Sequence, residues 1–241
     1  MIIAVSKARW LVMSVVALCL FFGLQSLSKA ACPGKTAPYP ESVKDLPPIT
    51  FVREGETRAI SLCDAFDFHG HACPGATMAF MAVRYGLELL YGPETPSVDD
   101  LIIVTRAPGG PMDLLDLIMK GEDRAKRTWP PAGITRNAEN FVFQFYRKST
   151  LQSVIVKLED GLWPRDWFEL RDKFKAGKIT DAEQKKRQKD RQSILREFPK
   201  KSFSELFGEP EVFTFIAWGN IESGEMDNCI RQQRKAMKSA Q

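Results

Sequence analysis

The chain has two histidines, and both fall within one short stretch, "FHGHACPG", residues 68–75. His69 and His71 are separated by one glycine, and Cys73 follows two positions later. Imidazole nitrogen and thiolate sulfur make a borderline-soft donor set, for which zinc is the default ion. If residues 68–73 run extended, His69, His71 and Cys73 project to one face, because strand side chains alternate with period two. Gly70 then removes bulk from between the imidazoles. Pro74 suits the first turn of a helix, where its missing N–H costs nothing. That puts Cys73 at a helix N-terminus, where the helix dipole favours thiolate over thiol. Three readings follow. The set holds a divalent metal, Cys73 is a catalytic thiol with a histidine base, or the stretch is a structural turn whose imidazoles satisfy buried carbonyls. Patterns of covalent haem attachment, phosphate-binding loops, dinucleotide folds and serine hydrolases are absent.

The neighbouring elements follow from periodicity and punctuation. "SLCDAFDF" reads as a short helix capped by Ser61. "PGATMAFMAVRYGLELLYG" carries Met78, Met81, Ala82, Tyr85 and Leu89 at helical spacing, and Gly92 and Pro93 end it. "DDLIIVTRAP" (99–108) is expected to be a buried strand, followed by a helix opening near Pro111. "NFVFQFYRK" places Phe141, Phe143 and Phe145 on one face, and with "LQSVIVKLE" it predicts an antiparallel hairpin. Residues 165–201 read as two helices, the second with Thr180 and Gln184 in capping positions. "FSELFG" reads as a short helix and "EVFTFIAWG" as an alternating strand. The fold class is therefore α+β, a sheet with helices packed on it and a basic helical hairpin appended.

Residues 1–30 have the form of a signal peptide: Lys7 and Arg9, then the apolar run 11–24, then small residues before a cut after Ala30. The run is short for a bilayer span, which favours cleavage over the rival reading of an uncleaved membrane anchor, and no membrane span is expected after cleavage. Periplasmic or extracellular localisation follows. Cleavage lowers the formal net charge from +4 to +1, since Lys7, Arg9 and Lys29 leave with no acidic residue. Nucleic acid is then not indicated as a partner. Residues 31–58 are read as a proline-rich arm without regular structure, 59–220 as the domain with a helical insertion at 163–201, and 221–241 as a polar tail. Between Arg171 and Lys201, twelve Lys/Arg face five Asp/Glu. This segment is either a solvated helical face or a docking surface for an acidic partner or an anionic membrane. In an oxidising compartment two of Cys32, Cys63 and Cys229 are expected to pair. A Cys32–Cys229 bridge tying the two ends is favoured, with Cys63 left unpaired near the metal site. A bridge that includes Cys63 is the alternative.

"FHGHACPG" also resembles the F-H-G-H-x-C-P-G signature of the FmdE family, named after a component of formylmethanofuran dehydrogenase. The likeness extends to the order helix, strand, helix after the motif, to Asp113 near the start of that last helix, and to "SELFGEPEV". It covers about residues 59–160 and 203–218. The resemblance implies an α+β fold similar to a domain of glyceraldehyde-phosphate dehydrogenase, with a metal, usually zinc, at positions matching His69, His71 and Cys73. The family's further cysteine and glutamate fall here at about Gly110 and Arg106. A C-terminal zinc-ribbon module is not implied, since the tail has only Cys229. Nor is the archaeal enzyme's one-carbon chemistry, which belongs to another centre.

Overall fold

The computed structural model describes residues 39–121 and 136–216, with the helical positions 228, 232 and 235–239 near the C-terminus. The expected signal peptide, Cys32 and Cys229 lie outside the described residues. The chain opens with α1 (Glu41–Lys44) and a hairpin of β1 (Ile49–Arg53) and β2 (Glu56–Ile60). Next come α2 (Leu62–His69), α3 (Pro74–Tyr91), β3 (Leu101–Thr105) and α4 (Gly110–Lys120). Strands β4 (Val142–Arg147) and β5 (Gln152–Lys157) form the second hairpin. Helices α5 (Trp167–Lys175), α6 (Asp181–Glu197) and α7 (Phe203–Phe207) follow, and then β6 (Val212–Thr214). The class is α+β, with a four-stranded antiparallel sheet in the order β3-β4-β5-β6.

Helix α3 lies on the inner face of that sheet and is buried along most of its length. The alternation in β4 and β5 supplies the facing surface: Phe143, Phe145, Val154 and Val156 are fully buried. Gly86 sets how closely helix and sheet approach, since a Cβ there would stand 2.4 Å from the Phe145 ring. The core continues through Phe51, Phe66, Phe80, Leu114 and Ile118. The Ser61 cap forms as a reciprocal box with Asp64, a device worth roughly 1 kcal/mol.

Several expectations are corrected. The arm expected to lack structure contributes α1 and the β1–β2 hairpin, with Val43, Ile49 and Phe51 buried. Its signal was the tight turn at Glu54–Gly55, where both residues have positive φ, as the commonest hairpin turn requires. Strand β3 is an edge strand, and Val104 is 52 % exposed where a buried strand was expected. The capping partner of Thr180 is Glu183, not Gln184. The basic segment is more than a solvated hairpin. Its outer face is exposed, but Trp167, Ile194, Leu195 and Phe198 belong to the main core, and α6 packs on α1 and α3. Cys63 is disulfide-bonded to a cysteine outside the described residues. That overturns the expectation of an unpaired Cys63.

Candidate metal centre

The three candidate donors come together by a route other than strand alternation. His69 is the last residue of α2, whose eight residues follow the Ser61 cap. Gly70 ends that helix in the left-handed conformation, φ 95°, a region that glycine enters without the steric cost other residues meet. Nothing lies within 4 Å of where its Cβ would be. Gly70 is therefore needed for its backbone angle, not for the space it leaves. The chain turns back through exposed His71 and enters α3 from Cys73, in extended conformation immediately before Pro74. The Thr77 amide and hydroxyl both donate to the Cys73 carbonyl, at 3.0 and 3.1 Å.

The resulting donor atoms of His69, His71 and Cys73 all lie within 4.8 Å of one another. The two imidazole rings stand 4.4 Å apart between centroids. A tetrahedral zinc holds nitrogen and sulfur at roughly 2.0–2.3 Å, which separates donors by roughly 3.5 Å. The widest pair would close by little more than an ångström. The residues fit a metal ion.

A fourth residue completes the arrangement. Asp113, in the first turn of α4 and 4 % exposed, places its carboxylate against His69 Nδ1. With Nδ1 so engaged, Nε2 is the nitrogen left for Cys73. The Asp113 carboxylate and then the Cys73 sulfur favour the imidazolium and raise the His69 pKa to about 9. Burial pushes the Cys73 thiol up, but hydrogen bonds from His69 and His71 outweigh it and bring it down to about 6. The Ala76 N–H at the start of α3 acts in the same direction. Without a metal the site therefore holds a thiolate beside an imidazolium near neutral pH.

Small residues let two helix N-termini meet at the sulfur. A Cβ on Gly75 would stand 3.3 Å from Pro111 Cδ, and one on Gly110 would stand 2.6 Å from Cys73 Sγ. Gly110, which the sequence marks only as the place of a family cysteine, thus forms one wall of the site. Arg106, at the place of the family glutamate, makes no described contact with it. From the other side, Arg191 on α6 donates to the Ala72 carbonyl at 2.7 Å. Arg191 lies 119 residues from Ala72, and no local pattern marks it. Asp113 did leave a signal, a lone acid in the first turn after Gly-Gly-Pro. Among the described residues no helix is long and apolar enough to cross a membrane. No family model, curated protein or solved structure matches this chain.

Asp113 is expected to act on the metal through His69. Replacing it by asparagine keeps the shape but removes the charge that orients and polarises the ring. Outer partners of ligating histidines are worth roughly 10–100-fold in affinity. Asp113→Asn should therefore weaken zinc binding by about that factor in a chelator competition. An unchanged affinity would reduce the contact to packing.

Proposed function

We propose that the chain is an exported metal-binding protein of the FmdE type. One zinc ion is held by His69, His71 and Cys73, and the protein serves a redox or metal-handling system outside the cytoplasm. The observation that carries this reading is the Asp113 carboxylate on His69 Nδ1, beside two further soft donors within bonding range of a shared ion. Carboxylate–histidine–metal chains of this kind fix the ring and raise its basicity. Three protein donors are the count of catalytic zinc sites, which keep a position for water or a ligand. When bound, the metal would supply Lewis acidity at that position. The chain's own residues orient His69, hold the sulfur as thiolate and keep α3 and α4 in contact around it. The test is metal analysis of protein purified without a histidine tag. About one zinc per chain is expected, and protein that neither retains nor takes up zinc would end this reading.

The same geometry favours a second reading. Asp113, His69 and Cys73 also stand in the order of acid, base and nucleophile, with the base hydrogen-bonded to the thiolate. A thiol enzyme or sulfur carrier would use Cys73 without a metal. A non-catalytic accessory component of a larger assembly, the third possibility, would neither hold zinc nor show an activated thiol. An acidic protein partner for residues 171–201 is a further proposal, now with less charge behind it. Lys173 is engaged by Glu169 and Glu183, and Lys186 by Asp166 and Asp190.

A further inference from the structure

Helices α5 and α6 bring arginines to the metal centre that the metal itself does not need. Arg191 is anchored on the Ala72 carbonyl, one residue before Cys73. Arg187 stands one helical turn earlier on the same face of α6, about 6 Å along the axis. Its guanidinium lies over the Phe174 ring of α5, 4.1 Å from the centroid. Arg171 precedes Phe174 by three residues and so shares that face of α5. It is half-buried and within electrostatic reach of Cys73 and of Arg187.

Among the described residues neither guanidinium has a matching acid. Arg187 Nε is buried with no hydrogen-bond partner, and no described hydrogen bond or ion pair engages Arg171. Asp172 acts on Arg171 from a distance but lies 3.8 Å from Arg136. Arg136 and Lys175 add positive charge to the same neighbourhood. By contrast, Arg53 is satisfied by the Leu117 and Ile118 carbonyls, and Arg147 by Glu94 and the Leu90 carbonyl. A buried donor without a partner is left with its desolvation uncompensated. Arg187, with this unpartnered donor, and Arg171, within its electrostatic reach and without a described hydrogen bond, together offer planar forks suited to a carboxylate or oxyanion.

We propose that Arg171 and Arg187 receive the anionic end of a small ligand, a carboxylate or other oxyanion, whose other end reaches the His69–His71–Cys73 centre. This deepens the proposed function, since the open metal position would take that other end. The arginine site itself stands without the metal.

The test compares two alkylating reagents of nearly the same size on the Cys73 thiolate of metal-free protein. Iodoacetate carries the carboxylate and iodoacetamide does not; in both reactions the sulfur displaces iodide. At one pH both meet the same thiolate fraction, so the ratio of their rates reports charge recognition alone. Peptide mapping assigns the product to Cys73. The iodoacetate to iodoacetamide ratio should exceed that of a neutral cysteine amide by roughly tenfold, in the range of electrostatic steering. It should fall as sodium chloride is raised. Arg171→Gln and Arg187→Gln should each lower it toward the reference, and Arg187→Lys should keep most of it. A wild-type ratio equal to the reference, or one unchanged in both glutamine variants, overturns the proposal. Zinc content is read in parallel. Absent zinc with a raised ratio refutes the metal reading and leaves the anion site standing, and the reverse pattern does the opposite.

Discussion

Cys73→Ser and His71→Ala should each lose nearly all zinc, while Asp113→Asn keeps a weakened site. A ligand contributes a direct bond, whereas Asp113 acts through a ring. The loss should therefore exceed the roughly 10–100-fold expected of an outer partner. His71 is the sharper test because its side chain is exposed, so truncation leaves the core intact and the variant should melt like wild type. The affinity should also depend on pH, because ligands bind deprotonated. Below about 6 the Cys73 sulfur and His69 are both protonated and compete with the ion. Between about 6 and 9 the sulfur is already a thiolate and the His69 proton is the main competitor. Affinity should then rise by roughly tenfold per pH unit and level off above about 9. Chelator competition across that range measures it. Equal zinc in wild type and both ligand variants would show that these side chains do not bind it.

Gly110→Ala should damage the site without touching a donor. Its Cβ would stand 2.6 Å from Cys73 Sγ, 3.1 Å from the Ala76 nitrogen and 3.3 Å from the Ala76 Cβ. The neighbours are backbone and a sulfur hydrogen-bonded to two imidazoles, so neither gives way without cost to the site. Either α4 moves away from α3, carrying Asp113 from His69, or Cys73 leaves the imidazoles. Overpacking of this kind costs about 1–3 kcal/mol. The expected result is a lower denaturation midpoint together with zinc loss comparable to Cys73→Ser. A variant with native stability and full zinc would show that the two helix starts are not held in contact. The same distance bears on the family resemblance. A cysteine at position 110 could not be added to this backbone as a fourth donor unless the helices first separated.

What could be read from the sequence was whatever carried a local signal. Pro74 and Gly92 bracket α3, alternating phenylalanines mark β4, and Ser61 marks the start of α2. The donor triplet stood out because the chain has no other histidine. The manner of its assembly did not, since a helix ending on left-handed Gly70 and an extended run bring the same three side chains together. Asp113 lies 44 residues from His69, and spacing carries no information over that distance. The arginines of α5 and α6 were seen as charge and counted as a net excess. Their meaning depends on which of them lack acids, and pairs such as Lys186 with Asp166, twenty residues apart, are fixed only by packing.

The Arg191 contact also sets an order of events. The donors and Asp113 lie within a stretch that ends by residue 120, whereas Arg191 follows Ala72 by 119 residues. Arg191 follows Asp113 by 78 residues, so at roughly 5–20 residues per second about 4–16 s of synthesis separate them. The part that carries the candidate donors and Asp113 is thus complete in the chain before Arg191 is made. The centre and its rim are joined by folding rather than by adjacency in the chain, so one can be gained or lost without the other.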